Sequence, residues 1–362
     1  MKMKLLPLIL IILFASACGL RTPVTTPVPS QEISPTSTST EPRLLTVMTH
    51  DSFAASEGVI KAFEEQNNVK VQILTAGDAG TALNKAILAK GNPLADVFYG
   101  LDNTFLSRAL EEDIFEPYAA PALASIPDTF KLDAQNRAIP IDYGDVCLNY
   151  DKDYFAERNL PPPQNLSDLV KPEYRSMLVV ENPASSSPGL AFLLATIGRF
   201  GEANYLDYWK QLVNNDVLVV NDWETAYYSE FSRYGGSRPI VVSYGSSPPF
   251  EVIFAETPIE EPTTAVITAD RSCFRQIEFA GILRGTKNRD LAEKWLDFML
   301  SPTFQEDIPL QMFVFPVNPA AKLDERFVKF LAVPEETAFV SPEDIAAKRE
   351  IWIKAWTETV LR

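Results

Sequence analysis

Histidine and cysteine are scarce in this 362-residue chain: His50 is the single histidine, and the three cysteines are Cys18, Cys147 and Cys273. So few imidazoles and thiols cannot assemble a usual zinc site. A histidine-dependent triad has only His50 to draw on, and no G-x-S-x-G elbow occurs. Counting alone leaves a pair of acid–base carboxylates open. The composition otherwise points away from catalysis, with no cofactor and no structural metal expected. Basic residues are also few, 32 Lys and Arg against 48 Asp and Glu, for a formal charge of −16. An acidic surface argues against nucleic acid as a partner and is compatible with a cationic ligand. The apolar run Leu5 to Phe14 is too short to span a bilayer as a stable helix.

That run follows Lys2 and Lys4 and precedes Ala15-Ser16-Ala17, which is the layout of a secretory signal peptide over residues 1–17. A cysteine placed directly after the small residues resembles a bacterial lipoprotein box, with Ala15 where a leucine is usual. The resemblance implies that Cys18 is lipidated. The mature protein would then be exported and tethered to the outer face of the cell membrane or in the periplasm, meeting the membrane through that anchor only. Arg21 to Pro42 is rich in Thr, Pro and Ser. It cannot bury enough apolar surface to offset its ordering entropy, so residues 18–42 read as anchor and extended spacer. About 320 residues remain from Arg43 onward, which is long for one core and favours two lobes.

With Cys18 taken by lipid, Cys147 and Cys273 are left in an oxidising compartment. They stand either as a disulfide or as two buried thiols, and the compartment favours the bridge.

The folded part alternates between strand and helix patterns. Leu44–Met48, Val69–Leu74 and Asp96–Tyr99 read as strands, separated by helical patterns carrying Val59, Ile60 and Phe63 and then Thr81–Lys90. Ile139–Asn149 is extended. Met177–Val180, Val217–Val220 and Ile240–Ser243 are further strands, interleaved with helices over Gly189–Phe200, Tyr205–Asn214 and Thr225–Tyr234. Ile277–Leu283 is again extended, Asp290–Leu300 is a periodic helix, and Pro342–Arg362 is a long helix. Such alternation is the mark of parallel α/β sheets. The division predicted is lobe I over 43–144 with about 276–320, lobe II over 145–275, and a C-terminal helical segment 321–362 packing on both. Ligands of open α/β sheets bind beyond the C-terminal strand ends. Loops there include Thr49–Ser52, Ala76–Gly80, Asn182–Gly189, Asn221–Glu224 and Tyr244–Phe250.

Several motifs run in order across this part: Thr49-His50-Asp51-Ser52-Phe53, Gly100-Leu101-Asp102-Asn103, Asp142-Tyr143-Gly144, Ser185 to Leu190, Trp223 to Tyr227, Ser243 to Pro248 and Phe315-Pro316-Val317. In that joint order the chain resembles the substrate-binding proteins of ABC importers, and within them the thiamine-binding proteins. The resemblance implies an α/β, two-lobed periplasmic-binding-protein type II fold, each lobe a mixed, mostly parallel sheet flanked by helices, with a ligand cleft between the lobes. It further implies a monomer that captures thiamine or thiamine phosphates and delivers them to an ABC permease with its ATPase. The residues so implied at the ligand are His50, Asp78, Ala79, Ser186, Ser187, Trp223, Tyr244, Gly245, Ser246, Ser247, Phe250 and Phe313.

Each fits a thiazolium cation joined to an aminopyrimidine. Trp223 and Tyr244 would stack on flat cationic rings, and Asp78 would offset the charge. Ser186 and Ser187, before Pro188, would offer hydroxyls and a helix N-terminus to the hydroxyethyl group or its phosphates. The family often has tyrosine where this chain has His50 and Phe250, tryptophan at Phe313 and glycine at Ala79. The rival expectation is a ferric-ion-binding protein of the same fold using Tyr227, Tyr228 and His50. Taken singly, Trp223, Ser187-Pro188 and Asp78 also suit a core anchor, a helix cap and a turn.

Overall fold

Alternation of buried and exposed positions builds the first strand, β1 (Arg43–Thr49), where Leu45 and Val47 face one layer and Met48 the other. The computed structural model describes residues 41–362; the signal segment, Cys18 and the spacer to residue 40 lie outside the described residues. After β1 come α1 (Glu57–Asn67), β2 (Val69–Thr75), α2 (Ala79–Leu88), β3 (Val97–Asp102), α3 (Leu106–Glu111), β4 (Phe115–Glu116) and β5 (Ile139–Asp151). Next are α4 (Lys152–Glu157), β6 (Leu178–Glu181), α5 (Ser187–Phe200), α6 (Tyr205–Asn214), β7 (Leu218–Val220), β8 (Ile240–Tyr244) and α7 (Pro248–Ile253). The chain closes with β9 (Thr264–Ile267), β10 (Phe274–Leu283), α8 (Arg289–Met299), α9 (Pro302–Met312), β11 (Phe315–Pro316), α10 (Glu325–Phe330) and α11 (Pro342–Val360).

Among the described residues the strands form one sheet ordered β2-β1-β3-β10-β5-β8-β6-β7, with β4, β9 and β11 pairing alongside. β1 is parallel to β2 and β3, and β6 is parallel to β7 and β8. Between these parallel blocks, β10 and β5 run antiparallel to each other and to their outer neighbours. Both central strands are long enough to serve each block in turn. Ile139–Pro140 of β5 sits beside β10 near β3, while Val146–Tyr150 pairs with β8. The sequence showed these two segments as extended but not their direction, because hydrophobic period reports burial and not polarity.

β3 is buried along its length, as a central strand covered on both faces must be. Phe98 and Leu101 join a core that continues past Leu148 to Trp209 and Trp356, whereas Val97 and Tyr99 pack with Trp295 and Phe304. Each such side chain contributes about 1.5–3 kcal/mol by leaving water. α11 ties the halves from behind: Trp356 packs edge-on to Trp209 with ring centroids 5.4 Å apart, and Arg349 Nη1 donates to the Thr104 carbonyl at 3.3 Å. Pro42 to Arg362 forms one compact unit.

Two expected elements differ. The segment Thr225–Tyr234 is a turn of π-helix over Thr225–Glu230 followed by a 3₁₀ turn at Ser232–Tyr234. The loop expected at Tyr244–Phe250 turns into α7 at Pro248, since proline suits the first helical turn. Cys147 and Cys273 form a disulfide across 126 residues of chain, which removes the alternative of two free thiols. It joins β5 to the residue before β10, beside the Val146–Phe274 pair. Replacing both cysteines with alanine is expected to lower unfolding stability by about 2–5 kcal/mol in urea titration. An unchanged midpoint would mean that the strand pairing already supplies the constraint.

Candidate ligand site

The C-terminal ends of β1, β2 and β7, the end of β8 and the start of α5 converge on a cavity of about 250 Å³. β1 delivers His50, whose place is made by Gly100: a Cβ there would lie 2.1 Å from the imidazole Cδ2, and its φ is +94°. Asp78 caps α2, its Oδ1 accepting from the Ala79 N–H at 2.7 Å, while Oδ2 accepts from the Trp223 N–H at 3.2 Å. That carboxylate therefore also holds the far wall.

Trp223 is held from several sides. Its Nε1 donates to Ser243 Oγ at 3.1 Å, and Ser243 in turn shares a hydrogen bond with Ser247. Tyr227 stacks on its ring at 4.9 Å and 16°. Phe313 presents an edge at 5.8 Å from a left-handed backbone, φ 61°, at the end of α9. For a bulky residue that conformation costs about 1–3 kcal/mol. Ser246 Oγ bonded to the Phe313 carbonyl and the Phe250 ring at 3.8 Å hold it there.

The residues expected at the ligand thus fall into two groups. His50, Asp78, Ala79, Ser187, Trp223, Tyr244 and Phe313 line the cavity. Ser186, Gly245, Ser246, Ser247 and Phe250 lie behind the lining. Ser186 caps α5, accepting from the Gly189 N–H, and Gly245 exchanges backbone bonds with Asp145 and Ala332. Ser187 lines the cavity, but its hydroxyl is turned to Asp102.

Sequence reasoning missed Asp51, Glu224 and Glu278 on the wall, together with Phe53, Gln311 and Met312. Glu278 did carry a signal: it is an acid inside the apolar run Ile277 to Leu283. Its strand partner Asp142, on β5, carries the same signal.

The cavity is lined by the carboxylates Asp51, Asp78, Glu224 and Glu278, and by no lysine or arginine. Burial raises the pKa of Asp78 against hydrogen bonds from Ala79, Ser186 and Trp223. Burial, then Asp51 and Asp222, raises that of Glu224. Burial alone would lower the His50 imidazole, but Glu278 at 3.7 Å overcomes it and raises the value. Burial likewise works against ionised Glu278, yet His50 and hydrogen bonds from Asp142 and Tyr99 hold it low. Asp142 goes the other way, driven well up by burial and by Glu278. The Tyr99 hydroxyl lies 2.6 Å from Asp142 Oδ2 and 3.1 Å from Glu278 Oε2. Burial and Glu278 thus favour the neutral form of Asp142, while His50 and Glu278, both on the cavity wall, favour each other's charged form. Among the described residues no group of three or more His, Cys, Asp or Glu is arranged to hold a metal ion.

A family model described as bacterial extracellular solute-binding protein matches residues 92–345. The thiamine-binding periplasmic protein of Salmonella typhimurium is 33% identical over 324 residues, which are 88% of this chain and 94% of that protein. A solved periplasmic thiamin binding protein, 30% identical, superposes with a TM-score of 0.78 over 89% of this chain and 97% of its own. A ferric binding protein from Campylobacter jejuni is 20% identical, with a TM-score of 0.70 over 87% of this chain and 99% of its own. Likeness at that last level is one of fold alone.

Asp102 supplies a test of the buried wall. Burial pushes its carboxyl up to about 6, against hydrogen bonds from Ser187 and Thr104 that favour the anion. Its folded value lies above its unfolded one, so the folded chain holds the extra proton between about pH 4 and 6, and stability falls as pH rises through that window. Asp102→Asn cannot ionise. Its stability relative to the parent should therefore increase from about pH 4 to about pH 8 in urea unfolding. A difference that moves the other way would mean that the anion is the favoured form.

Proposed function

The chain belongs to the bacterial extracellular solute-binding protein family, and we propose that it captures thiamine in the cavity described above and delivers it to an ABC permease with its ATPase. It has the type II periplasmic-binding-protein fold. The observation that carries the ligand assignment is a wall of aromatic rings and carboxylates without a lysine or arginine. Thiamine is a flat, permanently charged thiazolium joined to an aminopyrimidine. Trp223, Tyr244 and Phe313 suit its rings by burial and cation–π attraction, and the carboxylates suit its charge. The thiamine-binding names of the similar proteins support the same assignment.

In this reading the monomer closes over one ligand by rotation of lobe I (43–144 with about 276–320) against lobe II (145–275). β5 and β10 act as the crossing strands, and segment 321–362 packs behind them. Cys18 anchors the exported chain through lipid, and binding proceeds without turnover. Thiamine phosphates would place their phosphoryl groups at the N-terminus of α5, where backbone N–H groups favour anions.

The ferric alternative is the weaker one. Tyr227 is buried behind Trp223, and its hydroxyl is engaged with Tyr234. Tyr228, 46% exposed, and His50 line the cavity without it.

Calorimetry on the chain lacking residues 1–40 is expected to show one thiamine per monomer at micromolar affinity or better, about −8 kcal/mol or stronger. Trp223→Ala should weaken that by about 1–3 kcal/mol. Iron loading should produce no tyrosinate charge-transfer colour. The thiamine assignment fails if neither thiamine nor its phosphates give heat or a thermal shift.

A further inference from the structure

We propose that Glu278 is the residue that reads the ligand's exocyclic amine, accepting its hydrogen bond at the floor of the cleft. The inference rests on the thiamine reading and deepens it. The carboxylates of the cavity can be sorted by what their oxygens already do. Asp78 gives both oxygens to backbone N–H groups, those of Ala79 and Trp223. Asp51 Oδ1 accepts from the Gly77 N–H at 2.8 Å, and both Asp51 and Glu224 are exposed to water. A hydrogen bond at those two would replace one already made with water and would separate ligands little.

Glu278 differs on each count. It lines the cavity yet is only 5% exposed. Oε2 accepts from the Tyr99 hydroxyl at 3.1 Å, and Oε1 from Gln276 Nε2 at 3.2 Å. His50 Nε2, at 3.7 Å from Oε1, supplies charge but lies outside hydrogen-bonding distance. An ionised carboxylate has about four acceptor sites, so Oε1 keeps capacity for one more donor. Gln276 Nε2 also bonds the Tyr244 hydroxyl at 3.2 Å, which locks the carboxylate to the aromatic wall.

Thiamine brings a cationic ring without N–H donors, one hydroxyl, and one exocyclic amine with two N–H donors. An acceptor-only group that is buried and fixed suits the amine. A site built this way rejects an analogue that lacks the donor, because a buried acceptor is then left unpaired.

The test uses oxythiamine, which keeps the thiazolium and the hydroxyethyl group but carries an oxo group in place of the amine. Calorimetry would compare it with thiamine on the parent chain, Glu278→Gln, Glu278→Asp and Trp223→Ala. The parent should prefer thiamine by about tenfold or more. Glu278→Gln offers an N–H to the oxo group, and Glu278→Asp is one methylene too short to reach the amine. Both should shrink the preference to within about threefold. Trp223→Ala should weaken both ligands and leave their ratio near that of the parent. A parent preference that persists in both Glu278 variants overturns the assignment, as does a parent with no preference. A parent that binds neither compound overturns the thiamine reading instead. If the amide variant does not fold, the aspartate variant decides.

Discussion

Asp142 and Glu278 face each other across the two strands that join the halves of the sheet. Both are buried, and two carboxylates in one dry site do not both ionise. Burial and Glu278 push the Asp142 pKa well up, and His50 beside Glu278 holds that of Glu278 low, with the Tyr99 hydroxyl between the two acids. The pair sits where the central strands β5 and β10 run side by side. The pairing shifts register just beyond them, between Glu278 and Phe279, and the neighbours Ile141 and Phe279 pack into different layers of the core. The Cys147–Cys273 bridge, the Gln276–Tyr244 bond and the stacking of Tyr143 on Phe315 all lie within a few residues of that pair.

The aromatic wall depends on a second layer behind it. Trp223 is aimed by the backbone bond to Asp78, by Ser243 with Ser247, and by the Tyr227 ring. Phe313 is held in its left-handed conformation by Ser246 and Phe250. α9 contains Pro309, which contributes no N–H, so the helix is weakened one turn before Phe313 ends it. Rigid support of this kind lets a stacking platform bind without first being ordered. Ser246, Ser247 and Phe250 brace Phe313 and Trp223 from behind. Their place in the motif order is compatible with either role, since sequence position marks proximity to a site and not the direction of a side chain.

Much of the framework could be read from local patterns. Strands such as Val69–Thr75 and helices such as Ser187–Phe200 fall close to their expected bounds, because apolar period and capping residues act within one turn or one pleat. Short helices escaped: α3, α4 and α10, six residues each, carry too little period to stand out. The π turn at Thr225–Glu230 escaped for another reason. Its sequence suits an α-helix, and its conformation answers to the packing of Tyr227 under Trp223 and beside Phe231.

The amino-acid sequence alone determined the class of architecture, the motif order of a solute-binding protein, the acidic balance and the identity of the aromatic residues near the cleft. These follow from composition and from interactions between residues close in the chain. Tertiary structure decided the antiparallel course of β5 and β10, the pairing of Cys147 with Cys273, and which hydroxyls face the cavity. It also decided that the two carboxyls of the buried acid pair shift in opposite directions, Glu278 down and Asp142 up. Burial raises both values, and the approach of His50, more than two hundred positions away in the chain, turns that of Glu278 down. A carboxyl's pKa depends on the groups around it in space, and the order of residues along the chain does not contain that neighbourhood until the chain has folded.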